Sequence, residues 1–480
     1  MAQIKEVFVE ARSLKRFDAI LGAAAVADAE SRALALARRL AGHAVWNINS
    51  TAAGGGVAEM LASLLGYPRE YGIDARWAVI EGTPEFWTVT KRLHHAIQGS
   101  AGDGSALGEI QRAIYEMVSA ENADELRRMI RPGDVVILHD PQTAGLVPHL
   151  LRHGSSLVWR CHIGDDRMNA ETELAWSFLS RYLAAVPVSI FSRSAFVPAS
   201  LSSGQAVVIP PSIDPFSAKC EPLDDVTVRA VLEHAGLLAD GARSEAAVRF
   251  AAPDGTPRSV ARRSHVLGSA ELPVWDEPLV VQVSRWDPLK DPIGVIEAFV
   301  GLRQNGGGAA HLVLVGPEVT GVADDPEAGA VMENTLAHWE ALPDAAKRRV
   351  HLAMLPTADP IENATIVNAL QSHARVVLQK SLREGFGLTV TEAMWKSRAI
   401  VATKVGGIQD QIESGKEGLL VDDPTDLDGV SRAMTRLLSD DDLSRRLGGA
   451  ARQRVVSEFL PTRHLLQYAD LIDRGLAAAA

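Results

Sequence analysis

Cysteine is almost missing from this chain. Cys161 and Cys220 are the only two in 480 residues, and they lack the spacing of a metal site, so a reducing, cytoplasmic compartment is expected. Positive charge is also in deficit. With 48 Lys and Arg against 60 Asp and Glu, the formal net charge is −12, which argues against a nucleic-acid partner, because phosphate backbones call for a basic surface. Uncharged apolar runs of spanning length are wanting too. The alanine-rich stretch 19–40 carries Asp28, Glu30, Arg32, Arg38 and Arg39, so it reads as an amphipathic helix and not a membrane span. The opening Met1-Ala-Gln-Ile-Lys-Glu bears charge where a signal peptide needs an apolar core. No repeat of solenoid length stands out. What remains is globular in composition, 47% hydrophobic and 22% charged, and too long for one core, so two domains are expected.

Short apolar runs alternate with helical stretches, the pattern of parallel βαβ units. In the first half the expected strands are 45–49, 75–80, 135–138, 157–161, 189–191 and 206–209. In the second they are 279–283, 311–315, 351–354, 374–378, 399–402 and 418–421. The fold class is therefore α/β, with two Rossmann-like doubly wound sheets. The break falls near Pro210-Pro211-Ser212-Ile213-Asp214-Pro215, where prolines stop regular structure. This gives a first domain over 1–210 with an extra helical segment at 1–42, and a second over 211–460. An insertion of low predictability is expected at about 239–276, and a last helix near 461–480 that could cross back to the first domain.

Chemistry concentrates at strand ends. Glu384-Gly-Phe-Gly-Leu-Thr-Val-Thr-Glu392 follows an apolar strand and sets two carboxylates eight positions apart, one in a glycine loop and one inside a helix. Gly385 and Gly387 permit close backbone approach to a ligand, and acceptor-only carboxylates suit the paired hydroxyls of a sugar or ribose. Arg285 and Lys290, five apart across a proline turn after another strand, can meet on one pyrophosphate. The glycine run Gly54-Gly55-Gly56 follows the first buried strand and opens a helix, which favours a phosphate but lacks the GxGxxG spacing. His139 and His162 end two neighbouring strands at the corresponding edge. A surface pairing of the cations, a plain turn at the glycines and structural histidines are the competing readings.

Together these residues resemble the retaining GT-B glycosyltransferases of the glycogen-synthase-like class. Trp46-Asn-Ile-Asn-Ser-Thr, Gly72-Ile-Asp-Ala-Arg-Trp, His139-Asp-Pro-Gln-Thr-Ala-Gly, Trp159-Arg-Cys-His-Ile and Gln282-Val-Ser-Arg-Trp-Asp-Pro-Leu-Lys-Asp are similar, more narrowly, to the trehalose synthase and trehalose phosphorylase branch. The similarity runs from about Val45 to the C-terminal helix and leaves out roughly the first forty residues.

The resemblance implies a site in the cleft between two domains, whose closure would accompany turnover. It implies that Arg285 and Lys290 hold the diphosphate and that Glu392 takes the ribose hydroxyls. Glu384 with Gly385, Phe386, Gly387 and Leu388 would grip the donor glucose, while Gly55 and Gly56 approach the phosphates. His162 would sit near the reacting sugar, with His139, Asp140, Gln142 and Arg160 toward the acceptor. No metal and no cofactor are implied, so Asp165-Asp166, Asp324-Asp325 and Asp440-Asp441-Asp442 are read as loop or cap carboxylates. The implied activity is glucosyl transfer from a nucleotide-glucose to glucose, giving α,α-trehalose, by front-face displacement with retention. Phosphorolysis of trehalose is the alternative, and a non-catalytic sugar-nucleotide binder a third. Small-molecule substrates are the expected partners, with no nucleic acid or membrane, and a homodimer is compatible with the chain's size.

Overall fold

The computed structural model describes residues 4–52, 55–201, 204–239, 246–267, 271–304, 309–319 and 327–479. Gly54, Asp324 and Asp325 lie outside these described residues. The chain divides into two compact units: Met1–Asp214 with Glu458–Ala480, and Pro215–Ser457.

In the first unit seven strands form one sheet: β1 (Lys5–Val7), β2 (Ala44–Asn49), β3 (Asp74–Val79), β4 (Val135–His139), β5 (Ser156–Cys161), β6 (Val188–Phe191) and β7 (Ala206–Val208). Their order is β1-β3-β2-β4-β5-β6-β7. All pairs are parallel except β1 with β3. Every residue of β2 and β4 is buried, because helices cover both faces of a parallel sheet and its strands then read as unbroken apolar runs. Alternation divides the two cores. Trp46, Ile48, Leu138 and Trp159 join Phe86, Tyr115 and Phe178 on one face. Val45, Trp77, Ile137 and Val158 join Leu36, Tyr468 and Ile472 on the other. Burying side chains such as Ile48 and Leu138 completely contributes roughly 1.5–3 kcal/mol each.

Tyr468 and Ile472 belong to the C-terminal helix Pro461–Ala479. That helix packs on the helix Ala23–Arg39, and Arg39 Nη1 reaches Asp473 Oδ1 at 2.9 Å. The ion pair is exposed and adds little. The apolar face holds the helix to this unit.

In the second unit a hairpin pairs β8 (Val248–Ala251) with β9 (Pro257–Val260). A second seven-stranded sheet contains β10 (His265–Leu267), β11 (Leu279–Val283), β12 (His311–Pro317), β13 (Val350–Leu355), β14 (Val376–Gln379), β15 (Ala399–Thr403) and β16 (Leu419–Val421). The order is β10-β13-β12-β11-β14-β15-β16, with only β10 antiparallel. Its core gathers Val280, Leu312, Leu314, Leu352, Leu378 and Val401 under the helix Pro292–Gln304. Both sheets are thus mixed but dominated by parallel pairs. The antiparallel edges and the hairpin are absent from the pattern read in the sequence. Strands of three or four residues are too short to set up a periodicity, and β8 to β10 fall inside the stretch read as an insertion.

Candidate active site

In an open α/β sheet the C-terminal strand ends are where ligands bind. In the second unit β11 and β14 are adjacent, and both end in charge. After β11, Asp287 Oδ1 accepts from Leu289 N at 2.8 Å and caps a single turn, Pro288–Lys290. Trp286 is buried and donates to Pro317 O at 2.9 Å. Its neighbour Arg285 instead stands 59% exposed, with Nη2 3.0 Å from Asp287 Oδ2. After the turn, Lys290 Nζ donates to Glu384 Oε2 at 2.6 Å, in a pair only 15% and 11% exposed. Partial burial reduces the screening of that charge pair by solvent. An ammonium has three donors, so Lys290 can keep Glu384 and still donate to an anion.

Beneath lies a second pair. Lys380, directly after β14, bonds Asp291, which also accepts from Gly294 N at 3.1 Å. Asp291 has φ +46°, a left-handed conformation that a non-glycine holds only against local cost. Burial lowers the Lys380 ammonium to about 8. Gln282 ties the two loops together, donating to Lys290 O at 2.9 Å and accepting from Lys380 N at 2.8 Å.

The glycine loop is clamped by backbone. A Cβ at Gly406 would fall 1.7 Å from Glu384 O, so no side chain fits there, and Gly407 N donates to Gly385 O at 2.9 Å. Gln411 holds Phe386 O at 2.5 Å. Gly387 turns the chain at φ +84° into the helix Leu388–Trp395. One turn into that helix, Glu392 is buried with Lys219 Nζ 3.8 Å from its Oε1. Lys396, a turn further on, donates to Gln371 Oε1 at 2.9 Å, and burial lowers its pKa.

The first unit's strand ends are built otherwise. His139, the last residue of β4, is 1% exposed. Its Nδ1 lies 2.9 Å from His162 Nε2 and its Nε2 lies 3.0 Å from Asn47 Oδ1 of β2. The two rings stack with centroids 5.2 Å apart. Burial, and then the Arg160 guanidinium, lower His139 to about 3 and hold His162 well below the usual imidazole range. Between the strands, Asp140 takes φ +64° and ψ 176°, a region otherwise left to glycine. Several bonds hold it there: Asp140 N donates to Arg160 O at 2.7 Å, and Trp159 Nε1 donates to Asp140 O at 3.1 Å. Its Oδ1 accepts from His162 N at 2.8 Å, while burial raises its carboxyl to about 7. Gln142, two residues on, has a buried Oε1 with no hydrogen-bond partner among the described residues.

Within the second unit, then, the structure brings Lys290 onto Glu384, and Arg285 pairs with Asp287 in the same loop after β11. In the first it joins His139 to His162, whose backbone N–H donates to Asp140. Arg160 points elsewhere. Its guanidinium is fully buried, 2.7 Å from His464 Nε2, and bonds Tyr468 and Ile209 O, so it ties β5 to the C-terminal helix. Gly55 has φ +132° and Gly56 begins the helix Gly56–Leu64. Asn47, Lys380 and His464 are missing from the residues singled out in the sequence. Asn47 and Lys380 carry a signal, a polar side chain inside or directly after a buried strand, which must find a partner. His464 carries none. Both thiols are buried and free, and burial pushes Cys220 up to about 11. No group of three or more metal-binding side chains occurs among the described residues. No helix among them is long and apolar enough to cross a membrane.

Comparison with known proteins agrees with this architecture. The family model for glycosyl transferases group 1 matches residues 270–454, and that for the trehalose synthase N-terminal domain matches 47–198. The trehalose synthase of Pyrococcus horikoshii is 34% identical over 473 residues, covering 98% of this chain and 99% of that protein. The leading segment, left out of the motif resemblance, therefore lies within the match. A trehalose phosphorylase of Pleurotus pulmonarius is 26% identical over 432 residues, 85% of this chain but 54% of its own length. In fold, an α,α-trehalose 6-phosphate synthase of Burkholderia multivorans superposes over 91% of this chain with a TM-score of 0.66 at 16% identity. Two parallel-dominated sheets of this kind, with the group 1 match, define a GT-B glycosyltransferase. Within that class the chain belongs to the trehalose synthase family.

Proposed function

We propose that this glycosyltransferase moves glucose from a nucleotide-glucose (ADP-, UDP- or GDP-glucose) to free glucose, with retention, giving α,α-trehalose. The observation that carries the reading is the Lys290–Glu384 contact at 2.6 Å, in the loop after β11 that also carries Arg285. Here two cations can meet a leaving diphosphate while a carboxylate, already oriented, receives sugar hydroxyls. Glu392 serves the ribose. Charge developing on the departing phosphate is met by Arg285 and Lys290 in place of a metal ion, so chelators leave the rate unchanged. His162 is held neutral, which makes it a poor acid at neutral pH. The acceptor's proton therefore goes to the leaving phosphate in a front-face displacement. Asp140 and Gln142, whose Oε1 is unmatched, serve the acceptor. Two buried thiols fit a reducing, cytoplasmic setting.

Phosphorolysis of trehalose is the second reading, favoured by the similarity to the Pleurotus phosphorylase, because inorganic phosphate can use the same cations. One experiment separates the two. Each nucleotide-glucose is supplied with glucose, and in parallel trehalose is supplied with phosphate. Trehalose in the first arm and no glucose 1-phosphate in the second is expected; the reverse outcome makes the chain a phosphorylase.

A further inference from the structure

His139 is saturated. One ring nitrogen faces Asn47 Oδ1 at 3.0 Å, the other faces His162 Nε2 at 2.9 Å, and the ring is 1% exposed. Every hydrogen-bonding position it has is in use by the protein, so it has none left for a sugar. His162 differs. The residue is not fully buried, and its Nδ1 makes no hydrogen bond among the described residues. The two rings form a directional chain that starts at Asn47.

We propose that Asn47 and His139 are positioning residues that decide which nitrogen of His162 carries the proton. The amide oxygen of Asn47 can only accept, so His139 donates to it from Nε2–H. A neutral imidazole has one donor and one acceptor, so His139 Nδ1 must accept, and the donor it faces is His162 Nε2–H. The remaining nitrogen of His162, Nδ1, is thereby fixed as a lone pair, ready to accept from a sugar hydroxyl. Arg160, Asp140 and His464 are the titratable or charged groups around the pair, and none of them makes a side-chain hydrogen bond to either ring. Asp140 instead takes the backbone N–H of His162, which holds the second ring against the first. This assignment rests on the reading that His162 faces the reacting sugar.

The test uses the full chain labelled with 15N-histidine. Long-range 1H–15N spectra report the tautomer without any substrate. Both His139 and His162 are expected as Nε2–H forms, with His162 Nδ1 in the range of an unprotonated acceptor nitrogen. Asn47→Leu and His139→Phe should convert His162 to a tautomer mixture, whereas Asn47→Asp, whose carboxylate keeps the acceptor, should keep the wild-type form at a pH where His139 stays neutral. With nucleotide-glucose and glucose, Asn47→Leu and His139→Phe should each lower kcat about tenfold with KM for the donor within about twofold. Asn47→Asp should recover most of that loss. A wild-type His162 protonated at Nδ1, or equal losses in the Asp and Leu variants, overturns the proposal. Should His139→Phe fail to fold, the Asn47 pair and the wild-type spectrum still decide. A wild type that transfers no glucose would fault the functional reading and leave the tautomer result standing.

Discussion

The two units each contain a stacked pair of histidines, and the pairs are nearly superimposable in geometry. His139 and His162 have centroids 5.2 Å apart and a 2.9 Å nitrogen contact; His311 and His351 show the same two distances. Their surroundings differ. The first pair stands at the C-terminal ends of β4 and β5, beside the strained Asp140. The second stands at the N-terminal ends of β12 and β13, with His311 Nε2 3.3 Å from Glu277. Position in the sheet, not the pair itself, marks one as candidate chemistry and the other as packing. A second contrast runs between the C-terminal strand ends of the two sheets, where open α/β sheets bind their ligands. Those of the second unit hold opposite charges in contact, while in the first burial keeps the two histidines neutral.

The sharpest way to break the second contrast is to remove charge from the second unit. Arg285→Ala and Lys290→Ala should each lower kcat by about 10²–10³-fold, measured by steady-state kinetics, with a smaller change in donor affinity. A rate within a few-fold of the parent would mean that neither cation meets the leaving group. Glu392→Ala comes next. Loss of a charged acceptor should weaken donor binding by roughly 1.5–3 kcal/mol, read by calorimetric titration, and unchanged affinity would remove Glu392 from the ribose.

For the histidine pairs, His351→Leu should leave kcat within about twofold. It should cost about 1–3 kcal/mol of stability in denaturant melts, since His311 Nδ1 loses its buried partner. A large loss of kcat there would erase the distinction between the pairs. The effect confined to a pH window concerns Asp140. Its carboxyl titrates near 3.8 when exposed and about 7 in the fold, so between those values the folded state holds more protons than the unfolded. Stability therefore falls as pH rises through that window. Asp140→Asn should flatten this decline by up to one proton's worth of slope.

Most of the fold was legible because buried parallel strands are apolar along their whole length. All twelve parallel strands read from the sequence are present, with ends shifted by a residue or two. Three-residue β1 and β10 offered no such run, and their pairing is set by tertiary contact. Of the candidate site, Arg285, Lys290, Glu384 and His162 stand out in the sequence by residue type and place after a strand. The contacts were not. Lys290 meets Glu384 across 94 residues, and Arg160 meets His464 across 304, so only the folded chain reveals which polar groups answer one another. Arg160 shows the consequence. The family resemblance implies an acceptor-side place for it, and the structure shows its guanidinium bonded to His464 and Tyr468 of the C-terminal helix and to Ile209 O.

Transfer of 13C-labelled glucose from its nucleotide to unlabelled glucose, followed by 13C NMR, tests the account most directly. A labelled anomeric carbon in α configuration within α,α-trehalose is expected, formed by the parent and lost in Lys290→Ala. A β-linked product, or free labelled glucose as the sole outcome with all three nucleotides, would contradict it.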